Sequence, residues 1–208
     1  VRLTVSIFRW SLKTATFWTN DLRVSFVRAD TLLGAIPHIL AAPKSGAAIE
    51  MLCRRPGYNQ REFVDTLTLT RAEGIPGERW AVSPWLKTAD GGGHPGIQVS
   101  ILQKRVLDLV WRDRDTVIHP GDTFVADMDL SEENLPVGQL LRVGSTILRV
   151  SDVFNEGCVK WKARYGAAAK DWIVAPGHPV LRLRGVLCSI ARDGQVANGD
   201  ILTKIDAF

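Results

Sequence analysis

The stretch Gln139-Leu140-Leu141-Arg142-Val143-Gly144-Ser145-Thr146-Ile147-Leu148-Arg149-Val150-Ser151-Asp152-Val153 reads as two short apolar segments joined at Val143-Gly144-Ser145. Apolar runs of this length bounded by turn residues are the mark of strands, and glycine supplies the backbone freedom a tight reversal needs. Similar segments recur at 37–42, 47–53, 63–69, 97–102, 123–128, 180–190 and 200–205, with further turns at Lys44-Ser45-Gly46 and Arg192-Asp193-Gly194. So many short strands predict a mainly β chain folded as a closed or partly open antiparallel β-barrel with a few short helices. Two helical stretches interrupt the pattern. Residues 103–111 place Val106, Leu107, Val110 and Trp111 on one side, and 162–172 contains the run Ala167-Ala168-Ala169. There is neither a βαβ rhythm nor an internal repeat, which excludes a dinucleotide-binding sheet.

The first residues have a different character. Val1, Leu3, Val5 and Ile7 alternate with polar residues, as do Leu22, Val24 and Phe26, but no glycine or proline occurs before Gly34. Period-two alternation predicts strands, yet two strands alone are marginal without a sheet to join. Residues 1–35 are therefore read as an N-terminal extension, an extra hairpin or a leader, and 36–208 as the domain proper. Arg2, Arg9, Lys13, Asp21 and Arg23 break any apolar run there, so no secretory signal is expected and a cytoplasmic address is the default.

At 208 residues, 46% hydrophobic and 23% charged, the composition is that of a globular chain and excludes collagen-like, coiled-coil and disordered classes. No apolar run approaches the roughly 18 residues of a membrane span. Cys53, Cys158 and Cys188 are too far apart for a paired zinc motif, and His38, His94, His119 and His178 form no HExxH. Asp127, Asp129, Glu132 and Glu133 lack the spacing of a calcium loop and read as solvated.

Charge is concentrated. Residues 156–186 carry Lys160, Lys162, Arg164, Lys170, Arg182 and Arg184 against Glu156 and Asp171, which accounts for the whole net charge of +4. A local cationic cluster points to a small anion more than to nucleic acid, for which no recognition motif is present.

The segment Gly157-Cys158-Val159-Lys160-Trp161-Lys162-Ala163-Arg164-Tyr165-Gly166, followed by Arg182-Leu183-Arg184-Gly185-Val186 and by Gly194, Val196, Gly199 and Asp200, resembles the MOSC domain, the C-terminal domain of molybdenum-cofactor sulfurases that also occurs as a stand-alone bacterial protein. Upstream, Ala72-Glu73-Gly74-Ile75-Pro76-Gly77-Glu78-Arg79-Trp80, Ile97-Gln98-Val99-Ser100-Ile101 and Glu133-Asn134-Leu135-Pro136 continue the likeness, which covers roughly 36–206. Phe154-Asn155-Glu156 departs from it, since His or Pro is common there. The resemblance implies a barrel of the pyruvate-kinase type that carries sulfur on Cys158 or holds the molybdenum of a molybdopterin cofactor through it. It makes the reduction of N-hydroxylated compounds an expectation. The pyridoxal-phosphate domain of full-length sulfurases is absent from this sequence, so sulfur would come from a donor such as a cysteine desulfurase, or electrons from a reductase.

Either role needs a thiolate with access to solvent. Lys160, Lys162 and Arg164 follow Cys158 within six residues, ahead of a candidate helix, and cations favour a thiolate. Cys53 and Cys188 sit in apolar runs and read as packing thiols. Arg182 and Arg184, alternating with Leu181 and Leu183, are expected on one strand face, where with Arg79, Lys160 and Arg164 they would bind a pterin phosphate. The residues leave three roles open: sulfur carriage or molybdenum ligation as a transferase or oxidoreductase, a non-catalytic barrel for an anion or a partner, and a thiol-based oxidant sensor.

Overall fold

The computed structural model describes residues 26–206. Its strands, in chain order, are β1 (Ala47–Arg54), β2 (Glu62–Val64), β3 (Thr66–Leu69), β4 (Val99–Gln103), β5 (Phe124–Ala126), β6 (Leu140–Val143), β7 (Thr146–Val150), β8 (Val186–Arg192), β9 (Gly194–Ala197) and β10 (Ile201–Ile205). Its helices are α1 (Ala29–Gly34), α2 (Ile36–Leu40), α3 (Arg79–Val82), α4 (Lys104–Val110), α5 (Val159–Tyr165) and α6 (Ala167–Val174).

The stretch quoted at the outset forms the β6–β7 hairpin, in register from Leu140↔Arg149 to Val143↔Thr146. Leu141, Val143, Leu148 and Val150 enter the core, while Arg142 and Arg149 stay in solvent. Gly144, at φ 53°, makes the reversal against the Gln195 carbonyl, whose oxygen would lie 2.2 Å from any Cβ there. Around this hairpin the sheet runs β10-β6-β7-β8-β4-β5-β1, and β1 pairs with β10 at Ala47↔Leu202 to close a ring of seven strands. The barrel is closed and mixed rather than wholly antiparallel, because β4 and β5 run parallel. Their connection through α4 makes this possible, since parallel neighbours need a crossover. β2 extends β1, and β3 pairs with β9 outside the ring.

Two apolar cores result. Ile49, Leu52, Ile101, Phe124, Leu148 and Cys188 fill the barrel. A second cluster lies outside it, where Leu102 and Val125 on the outer face of β4 and β5 meet Leu107, Trp111, Trp161, Tyr165 and Trp172 from the helices. β4 is thus buried at every residue. Val27 and Leu32 belong to the second cluster, with Leu32 fully buried, so the chain packs on the domain from before Ile36. The alternation read at 1–7 and 22–25 lies outside the described residues.

Other segments differ from expectation for local reasons. Residues 37–42 were expected to be a strand, but Pro37 sits at the first turn of α2, where its missing N–H is harmless. The segment 63–69 divides into β2 and β3. Residues 162–172 form two helices, since Gly166, at φ 92° against Phe26, ends α5. The first part of 180–190 is a 3-10 turn (Pro179–Leu181) rather than strand. Among the described residues no helix is long and apolar enough to cross a membrane.

Candidate functional site

Of the three thiols, Cys158 alone is exposed. It occupies the N-cap of α5, and its carbonyl accepts from the Trp161 N–H at 2.9 Å. The helix is fixed from below by Trp161 and Tyr165, both buried, with the Trp161 Nε1–H donating to the Ala169 carbonyl of α6. Cys158 is therefore held at the surface by a helix whose other face is locked into the second core. Cys53 and Cys188 have the opposite fate. Burial pushes the Cys53 thiol up to about 11 and the Cys188 thiol up to about 12, which suits the packing role read from the sequence.

Two of the cations downstream of Cys158, Lys160 and Arg164, converge on a loop the sequence did not single out, Pro56-Gly57-Tyr58-Asn59. Lys160 Nζ lies 3.8 Å from the centroid of the Tyr58 ring, and the Arg79 guanidinium carbon 5.7 Å from it. Arg164 Nη2 donates to Asn59 Oδ1 at 3.1 Å. Arg79 is brought there by Gly74 and Gly77, whose φ values of 69° and 78° make the bend that leads into α3. Glu78, buried in the same bend, receives Arg55 Nε and Nη2 at 2.9 and 3.0 Å and so anchors it to the end of β1. Among the described residues Arg79, Lys160 and Arg164 pair with no carboxylate. Their charge stays available to an anion.

Arg182 and Arg184 do not share a strand face. The Gly185 N–H donates to the Arg182 carbonyl at 2.7 Å, closing a turn with Arg182 in the left-handed region at φ 50°. β8 starts only at Val186, so the two-residue spacing has no strand to act on. Arg184 turns inward over the Trp161 ring at 4.6 Å, and its Nη1 donates to both oxygens of the buried Asp122 at 2.8 Å. Arg182 Nη1 donates to the Leu135 carbonyl. The pair serves two different places.

Beneath the Tyr58 loop, Arg61 reaches the carbonyls of His119 and Pro120 at 3.1 and 3.0 Å. Burial lowers its guanidinium from the ordinary value, and Arg164 nearby acts in the same direction. His119 accepts from the Gly121 N–H at 3.0 Å through Nδ1, between the edges of Phe63 and Trp111, and burial lowers it to about 4. It is a neutral structural residue. Tyr58, Asn59 and Arg61 lie about 100 residues before α5 in sequence and Asp122 about 40, and no local pattern marks them as its neighbours.

No protein-family model matches the chain, and no curated protein matches it in sequence. Solved structures do share its fold. The YuaD protein from Bacillus subtilis superposes with a TM-score of 0.56 at 18% identity, over 75% of this chain and 93% of its own. A hypothetical protein gives 0.54 at 19% identity over 79% of this chain and 70% of its own. YiiM from Escherichia coli gives 0.50 at 17% identity over 77% and 71%. The fold of this chain is MOSC-like. At these identities the likeness concerns architecture alone.

Proposed function

We propose that this barrel presents Cys158 as a reactive thiolate in molybdenum-cofactor-related chemistry, either accepting sulfur from a partner or ligating molybdenum. The observation that carries the reading is the contrast among the thiols: Cys158 is exposed at the start of α5 while Cys53 and Cys188 are sealed in the core. In sulfur carriage, the Cys158 thiolate attacks the outer sulfur of a donor persulfide, forms a Cys158 persulfide and releases the donor thiolate. The donor is a cysteine desulfurase or a similar carrier, since the sulfur must arrive as the outer sulfur of a persulfide; free sulfide would need a two-electron oxidant to reach that level.

The donor set also suits a molybdenum centre of one kind. Among the described residues no three His, Cys, Asp or Glu side chains cluster to hold a bare metal ion. A single thiol can complete the coordination of a metal already chelated by an organic ligand. A molybdopterin would supply that chelate and its redox chemistry. Cys158 would be the protein ligand, with Arg79, Lys160 and Arg164 neutralising the phosphate. Arg184 contributes by orienting Trp161 under α5 rather than by contact, because Asp122 already occupies it.

Expression in a cofactor-producing host, with molybdenum and bound persulfide measured on the wild type and on Cys158→Ser, tests the proposal. Either load on the wild type and its loss in the variant supports it. No load of either kind, or loads equal in both proteins, removes it.

A further inference from the structure

The loops that lead into β6, out of β7 and into β8 enclose a cleft of about 180 Å³. These strands are antiparallel neighbours, so the start of β6, the end of β7 and the start of β8 lie side by side. The cleft is small beside the ~300 Å³ at which sites for larger organic ligands begin. Its walls hold three well-exposed apolar side chains, Val137, Phe154 and Val180, together with three charges, Glu132, Asp152 and Arg182.

The charges are arranged in an unusual way. Glu132 lies near enough to act on Arg182: burial lowers the guanidinium, and the Glu132 charge opposes that shift. Yet they form no ion pair: Arg182 Nη1 is held by the Leu135 carbonyl, and the Glu132 backbone N–H is held by the Val180 carbonyl at 2.8 Å. Asp152 likewise has no cationic partner among the described residues, and accepts only from the Ser151 hydroxyl at 3.4 Å. Opposite charges kept apart across an apolar-walled cleft match a ligand that carries both charges itself. The Arg182 backbone is left-handed, uncommon for a residue with a side chain, and the bond to the Leu135 carbonyl holds its guanidinium.

We infer that this cleft binds a small zwitterion with an apolar body, of the size and charge of an apolar α-amino acid. Its carboxylate meets the nitrogens of Arg182 that Leu135 leaves unused, its ammonium meets Glu132 and Asp152, and its side chain rests on Val137, Phe154 and Val180. The site makes no use of Cys158.

Calorimetric titration of the intact chain with L-leucine, L-methionine and L-phenylalanine, in a buffer free of amines and carboxylates, reads this directly. At least one should bind at a single site, and the matched amine and acid of leucine, 3-methylbutylamine and 4-methylpentanoate, should bind at least about tenfold more weakly. Glu132→Gln with Asp152→Asn should weaken the amino acid by a similar factor at an unchanged melting temperature, and Cys158→Ser should leave it unaffected. No binding of any of the three overturns the inference, as does an amine or acid that binds as tightly as leucine. Binding unaffected by the double carboxylate variant overturns it too. Because the analogue comparison uses the wild-type protein, it stands even if a variant fails to fold.

Discussion

Lys160 Nζ rests 3.8 Å from the centre of the Tyr58 ring, which ties the first turn of α5 to the loop that follows β1. Arg79 approaches the same ring from α3. Tyr58 is 65% exposed, so the contact contributes about 0.5–1 kcal/mol and serves to position cations more than to stabilise the fold. Tyr58→Ala should therefore shift the melting temperature little while weakening the retention of inorganic pyrophosphate several-fold. Equal retention in both proteins, read by equilibrium dialysis, would separate the cation cluster from anion binding.

Iodoacetamide at neutral pH should label Cys158 first, because Cys53 and Cys188 are both buried and held protonated. Peptide mass spectrometry after graded exposure gives the order. The two buried thiols also fix a sign at high pH. Their folded values, about 11 and about 12, lie above the unfolded value of roughly 8.5, so the folded state binds more protons in between. Their contribution to stability is complete below about pH 8.5 and declines as the pH rises toward 11, which denaturant midpoints across that range should show.

His119 acts at the other end of the scale. Its folded value of about 4 lies below the roughly 6.5 of an unfolded histidine, so unfolding takes up a proton on that side chain between the two. Stability from this group is full above about pH 6.5 and falls as the pH drops to 4, by about 3 kcal/mol in all. His119→Leu should be less stable at pH 7, through loss of the Gly121 contact, but should show a flatter decline between pH 6.5 and 4.

Arg184→Ala leaves Asp122, 1% exposed, as an unpaired buried charge. The expected cost is about 3–5 kcal/mol, far above the ±0.5 kcal/mol typical of a solvated arginine. Adding Asp122→Ala should recover part of that loss. A single variant as stable as wild type in urea would show that the pair does not bear on the second core.

Leu32 is fully buried among the helices outside the barrel. Leu32→Ala should cost about 2–5 kcal/mol. A chain shortened to begin at Leu33 loses both this side chain and Val27 and should melt at a lower temperature than one beginning at Phe26. Coincident melts would place the domain boundary near Ile36 after all.

Local signals carried the barrel and failed where packing or distance decided. The β6–β7 hairpin was legible because apolar runs and a Gly-Ser turn lie within fifteen residues. The same rule misread 37–42, since a short apolar run with a proline fits a strand edge or a helix start, and packing on the second core decided for helix. The parallel β4–β5 pair left no trace in periodicity. At the site, Cys158 and its following cations were visible as a run along the chain, and Arg79 through the resemblance. Tyr58 and Asp122 were not, because a partner's identity depends on a fold that brings residue 58 to 160 and 122 to 184. Arg182 and Arg184 show the converse: a pattern meaningful on a strand loses its meaning in a turn.

The pairing of Ala47 with Leu202 has a consequence for the order of events in synthesis. A ribosome delivers the chain from one end, so the first strand of the ring waits for more than 150 residues before its last neighbour exists. Until then β1 keeps part of one edge uncovered, a template for other chains. Such distant pairing also slows folding, because the loop must close before the contact rewards it. The interval between the emergence of β1 and of β10 is when this protein is most exposed to aggregation, and when a chaperone that shields strand edges would matter most.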